Sequence, residues 1–67
     1  MPRKKREIRA ELRRLGFAEV KGGGKGNHTK FKHPNLPYFI NVAGHDGDDA
    51  KQYDENAIAQ AKKDLGV

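Results

Sequence analysis

Residues 22–34, GGGKGNHTKFKHP, restrict the fold of this 67-residue chain more than any other stretch. Glycine-rich backbone opens the run, a proline closes it, and between them the side chains alternate with a period of two. Thr29, Phe31 and His33 project to one side of such a strand, and His28, Lys30 and Lys32 to the other. Phe31 is the only large apolar group in the run, so its side is the core side and the basic side faces solvent. A strand avoids a dense row of positive charge unless something negative lies across it. The row therefore points to an anionic ligand.

The remaining elements arrange themselves around this strand. Ile8, Leu12 and Leu15 recur at helical spacing, with Arg6, Arg9, Arg13 and Arg14 on the remaining surface, which predicts a short amphipathic helix with a basic polar side. Gly16 is its stop, as a residue able to take positive φ. Phe17 to Lys21 reads as a short strand, Lys21 to Gly26 as a hairpin connection, and His28 to His33 as the second strand. Pro34 to Pro37 is a turn, since the two prolines fix φ and remove two ladder donors. Tyr38 to Val42 is a third strand, with Tyr38, Ile40 and Val42 inward and Phe39 outward near the basic face. After a loop from Ala43 to Lys51, Asp54 reads as the N-cap of a second helix and Glu55 lies near its positive end. Ala57, Ile58, Ala61 and Leu65 form its apolar stripe, and Gly66 its stop. The order α-β-β-β-α predicts one α+β domain over residues 1–67, a three-stranded antiparallel sheet with both helices on one face.

A domain of this size buries a modest core, so function is expected on an open surface rather than in a deep cavity. The absence of cysteine removes disulfides and thiolate metal sites and fits a reducing cytoplasm. No apolar run is long enough to span a bilayer and no hydrophobic signal segment follows the basic start, so a soluble cytoplasmic protein is expected. The net charge is +5, unevenly spread: residues 1–14 carry seven basic and two acidic side chains, 15–33 four and one, and 34–67 three and six. Such asymmetry favours a polyanion held through its phosphates, although a solubilising surface accounts for the same charge.

Known phosphate and metal motifs do not fit. In a P-loop the lysine precedes Ser or Thr, whereas Lys25 is followed by Gly26 and Asn27 and leads into a strand. Asn27 also stands where a dinucleotide fingerprint beginning at Gly22 and Gly24 needs its third glycine. His28 and His33 differ by an odd number of strand positions and face apart, and Asp46, Asp48 and Asp49 lack the spacing of a calcium loop. Neither a metal nor a cofactor is expected. His28 is the candidate catalytic group: it follows a glycine-rich loop and shares its side of the strand with Lys30 and Lys32. Imidazole moves protons near neutral pH while ammonium groups hold a phosphate. In RNA the 2′-hydroxyl adjoins the scissile phosphate, so cleavage needs only a base, a proton donor for the leaving 5′-oxygen and cations for the charge on phosphorus. Lys25, Gly26, Asn27, Lys30 and Lys32 are the candidate RNA-binding residues.

The helix end Leu15-Gly16-Phe17, the centre Lys25-Gly26-Asn27-His28-Thr29-Lys30-Phe31-Lys32-His33-Pro34, the segment Val42-Ala43-Gly44-His45 and the close Leu65-Gly66-Val67 resemble the HicA family of bacterial toxins over nearly the whole chain. The motif departs from that family at Asn27, where serine is commonest, and at Thr29, where a second histidine often stands. What the resemblance implies is a double-stranded-RNA-binding-like fold and mRNA interferase activity, an endoribonuclease centred on His28, in a type II toxin–antitoxin system with a HicB antitoxin. It leaves His33 structural and His45 accessory. Two further readings stay open at this point. One is a non-catalytic RNA-binding module, which recognises shape and phosphate without chemistry; the other is an antitoxin-binding protein without toxicity.

Overall fold

The computed structural model describes residues 2–20 and 28–67. Within them the order is α1 (Lys5–Arg14), β1 (Ala18–Val20), β2 (Thr29–Lys32), β3 (Phe39–Val42) and α2 (Gln52–Leu65). The strands form one antiparallel sheet in the order β1-β2-β3. This is the expected α+β arrangement. The strands are shorter than the sequence suggests, because Phe17 and Tyr38 approach the sheet without joining its ladder. The connection from Lys21, with Lys25, Gly26 and Asn27, lies outside the described residues.

The alternation along β2 decides which face of the sheet is covered. Phe31 is fully buried, and across the ladder it meets Glu19 on one side and Ile40 on the other. Ile8 and Leu12 from α1 and Ile58 and Ala61 from α2 pack with Phe31, Ile40 and Val42, and Phe17, Leu36 and Ala50 complete the cluster. Both helices therefore lie on this face, as helical spacing of their apolar residues requires. The opposite row, Val20, Lys30, Lys32, Phe39 and Asn41, has no layer over it among the described residues.

His33 continues the inward row of β2 and is buried. Its Nδ1 accepts from the Asn35 amide at 3.0 Å and its Nε2 lies 3.1 Å from the Leu15 carbonyl, which puts the ring proton on Nε2. Phe17 meets the ring edge-on. The histidine thus joins the turn after β2 to the end of α1. Gly16 has φ +103°, and a Cβ there would stand 2.9 Å from His33 Nε2, so both the backbone and the neighbour require glycine.

Two expectations are corrected here. Asp54 is not the N-cap of α2: Lys51 occupies that position, and Asp54, one turn in, accepts from the Lys51 amide at 2.8 Å. The same carboxylate oxygen takes the Lys5 ammonium at 2.7 Å, with both side chains almost wholly out of water. Arg9, expected on the basic solvent side of α1, is buried. Its side of α1 turns toward β3 and the loop that follows, where carbonyl oxygens and a carboxylate receive it.

The helices are also joined at the surface. Glu11 on α1 pairs with Arg3 and with Lys62 of α2, the latter at 2.5 Å, and Arg3 reaches Glu55 at 2.6 Å. Lys62 and Arg3 together hold the Glu11 carboxyl below its ordinary value of 4.5.

Removing either partner of the buried Lys5–Asp54 pair strands a charge away from water, so Lys5→Ala or Asp54→Ala should cost about 3–5 kcal/mol in urea denaturation. The paired replacement Lys5→Met with Asp54→Leu should cost markedly less than the sum of the two; an additive result would show that the pair is not coupled. Glu11 sets a pH dependence. Its carboxyl binds protons less tightly folded than unfolded, so the unfolded chain takes up more protons on acidification. The stabilisation is whole above about pH 4.5 and fades as pH falls through the lower, folded value. Glu11→Gln should therefore lower Tm at pH 7, and its deficit against wild type should shrink as the pH falls below about 4.5.

Candidate active site

His28 stands immediately before β2 and is exposed. It lines an open pocket of about 480 Å³ together with Arg6, Arg9 and Arg13 of α1, Glu19 of β1, Thr29, and Gly44, His45 and Asp46 from the loop after β3. Arg6, Arg9 and Arg13 follow at i, i+3 and i+7 and so lie along one flank of α1. That flank borders the core stripe of Ile8 and Leu12, and the cations are presented beside the sheet rather than away from it.

Arg9 is the residue that builds the pocket wall. Its Nε donates to Thr29 Oγ1 at 3.0 Å, one terminal nitrogen to Asp46 Oδ1 at 2.7 Å, and the other to the carbonyls of Gly44 at 2.6 Å and Val42 at 3.3 Å. A planar fork of donors reaches all of these at once. Backbone bonds anchor the same loop to the start of α1: the Lys5 amide donates to Asp48 O at 2.8 Å and the Arg6 amide to Asp46 O at 3.2 Å. Within the loop, Asp48 Oδ2 accepts from the His45 amide at 2.9 Å and the Asp48 amide returns to His45 O at 3.0 Å. Gly44 has φ +105°, with Asp48 Oδ2 3.1 Å from where a Cβ would stand. The outcome is a tightly turned loop that holds the exposed His45 in the same pocket as His28.

The other candidates are placed differently. Lys30 and Lys32 do not line this pocket; they lie on the uncovered face of the sheet, with their ammonium nitrogens 5.1 and 5.4 Å from the centroid of the Phe39 ring. Lys25, Gly26 and Asn27 lie outside the described residues. Arg13 pairs with Glu19 at 3.0 Å, both half exposed, at the pocket rim. From the sequence, Arg6, Arg9 and Arg13 are placed only on the basic polar side of α1, together with Arg14. The i, i+3, i+7 spacing of the three arginines was the available signal. Among the described residues, no three side chains of metal-ligating type converge.

Chemically, the pocket offers two imidazoles and a cluster of guanidinium groups opening to solvent. Such a set suits a phosphodiester undergoing proton transfer, because planar donor forks match phosphate oxygens and imidazole both gives and takes protons. No helix of the described residues is long and apolar enough to cross a membrane. The family model for the HicA toxin of bacterial toxin–antitoxin pairs matches residues 6–67. No curated protein matches the chain.

Arg9→Lys keeps the charge but loses the fork, so it should release the loop more than it disturbs the core. Hydrogen exchange at the His45 and Asp48 amides should accelerate at least tenfold while the Phe31 amide changes less. Equal acceleration at all three would mean that Arg9 supports the whole fold rather than this wall.

Proposed function

The chain belongs to the HicA family of toxins from bacterial toxin–antitoxin pairs, and on that premise we propose that it is a metal-independent endoribonuclease that cuts mRNA in the cytoplasm at the His28 pocket. Its antitoxin, on this reading, is a HicB-type protein that closes the pocket. The observation that carries the proposal is the meeting of His28 and His45 with Arg6, Arg9 and Arg13 in one open pocket.

The chemistry needs no bound cofactor because the substrate brings its own nucleophile. One imidazole removes the proton from the 2′-hydroxyl, and the 2′-oxygen bonds to phosphorus. The bond from phosphorus to the 5′-oxygen breaks, and the other imidazole, protonated beforehand, gives its proton to that oxygen. The products are a 2′,3′-cyclic phosphate and a 5′-hydroxyl. Guanidinium groups at fixed positions stabilise the negative charge that grows on the phosphoryl oxygens. Arg6 and Arg13 serve the scissile phosphate directly. Arg9, committed to the loop and to Asp46, fixes the geometry and adds to the field. Lys30 and Lys32 act on the flanking strand.

Where the sequence offered a single histidine, this reading uses two, and a modified substrate separates their roles. His28→Ala and His45→Ala should each lower cleavage of an ordinary oligoribonucleotide in EDTA by about 10²–10⁴-fold. A substrate with sulfur in place of the 5′-oxygen releases a thiolate that leaves without a proton. It should restore the rate of whichever variant lacks the proton donor and leave the other slow. Unchanged cleavage in His28→Ala would remove the catalytic assignment. RNA binding by a wild-type protein that never cuts would leave a binding module in its place.

A further inference from the structure

Among the described residues no helix covers the second face of the sheet, and the composition of that face is unusual for a solvated one. Along β2 it carries Lys30 and Lys32; opposite Lys32 in the ladder stands Phe39, and opposite Lys30 stands Asn41, with Val20 of β1 on the other side. Phe39, the first residue of the edge strand β3, is 44 % exposed. The Lys30 and Lys32 ammonium nitrogens lie 5.1 and 5.4 Å from its ring centroid, and Lys32 is further held by the Leu36 carbonyl at 3.0 Å. Lysine stems laid on an aromatic ring can merely shield it from water. Here two ammonium groups lie over the ring of a residue that is still partly open to solvent.

An occupant that suits this patch needs a flat π surface for the ring and negative charge for the ammonium groups beside it. An unpaired nucleotide has both. Base stacking on an exposed aromatic, with Lys or Arg along the backbone, is the general solution for binding single strands. A duplex hides its base faces in the stack and cannot use the ring. The position along β2 gives the patch its meaning. Lys32 and Lys30 are alternate residues of β2, about 7 Å apart, and His28 stands just before the strand at the pocket. Phe39 pairs with Lys32 at the far end of β2, so the base on Phe39 belongs to a nucleotide away from the scissile bond.

We infer that the open sheet face around Phe39 is a stacking platform for an unpaired base of single-stranded RNA, with Lys30 and Lys32 contacting the phosphates that lead from it toward His28. The inference rests on the ribonuclease reading of the His28 pocket. It assigns the substrate as an unpaired strand, held at a second point beyond the reacting nucleotide.

The test uses the His28→Ala protein, to prevent cutting, and a short single-stranded oligoribonucleotide carrying 4-thiouridine. Irradiation followed by peptide mapping should place a cross-link at Phe39. Adding Phe39→Ala, at an exposed site whose fold is checked by circular dichroism, should weaken single-strand binding roughly five- to 150-fold. Phe39→Tyr should retain most of the affinity, and binding of a duplex should not change. Equal single-strand affinity with and without Phe39→Ala, or cross-links only elsewhere, would overturn the platform while leaving the pocket chemistry standing. The platform would fall in the same way if Phe39→Ala weakened only the binding of a protein antitoxin. Failure of every form of the protein to bind single-stranded RNA would overturn the platform together with the ribonuclease reading on which it rests.

Discussion

The guanidinium of Arg9 is taken out of bulk water where α1, the start of β2, the end of β3 and the following loop meet. A charge so placed is costly unless oxygen atoms receive it, and here Thr29, Val42, Gly44 and Asp46 supply them. The consequence reaches beyond stability. Loop residues 43–46 have little apolar content of their own to bury, and Arg9 with the α1 backbone amides gives them a fixed course. His45 and Asp46 then face the same pocket as His28 because of an interaction made by a residue on a different element. Lys5 plays the corresponding role at the other end of the loop, where its ammonium lies against Asp54 at the start of α2.

Much of the architecture could be read from periodicity. Phe31 as the buried side of β2, the outward Phe39, the stripe of Ile58 and Ala61, and the stops at Gly16 and Gly66 all follow from local spacing, and local spacing is what a sequence displays. The failures share a different cause. Arg9 and Asp54 carry charges, and composition alone sends charges to the surface; each is buried because partners 20 to 49 positions away complete it. Asp54 looked like a helix cap, and it does bind a helix-start amide, but from one turn inside the helix. His45 belonged to a loop whose course could not be foreseen, since the bonds that fix it come from α1.

The candidate site divides in the same way. His28 was legible because its motif is local. The cations beside it were sought on its own strand, at Lys30 and Lys32, whereas the pocket is lined by arginines of α1. Strand alternation sends the lysines to the uncovered face and leaves the helix side of the sheet, where α1 passes the start of β2, to form the cavity. The molecule thus has two basic surfaces of different character. One is concave, lined by arginine and histidine, and suited to a single reacting phosphate. The other is flat, made of lysine around an aromatic ring, and suited to an extended strand. Membership of a toxin family implies an antitoxin partner, and on the proposed reading that partner has only to deny RNA one of these surfaces.

The central claim is that the RNA's own 2′-hydroxyl is the nucleophile at the His28 pocket, and the ends of the cleavage products test it most directly. Purified protein would be incubated with a defined oligoribonucleotide in EDTA and the fragments weighed by mass spectrometry, alongside a copy carrying a single 2′-deoxy sugar at the cut. The account predicts 2′,3′-cyclic phosphate and 5′-hydroxyl ends, with no cleavage at the deoxy position. Fragments with 5′-phosphate and 3′-hydroxyl ends, or cutting that proceeds through the deoxy sugar, would mean that water is the nucleophile and would contradict it.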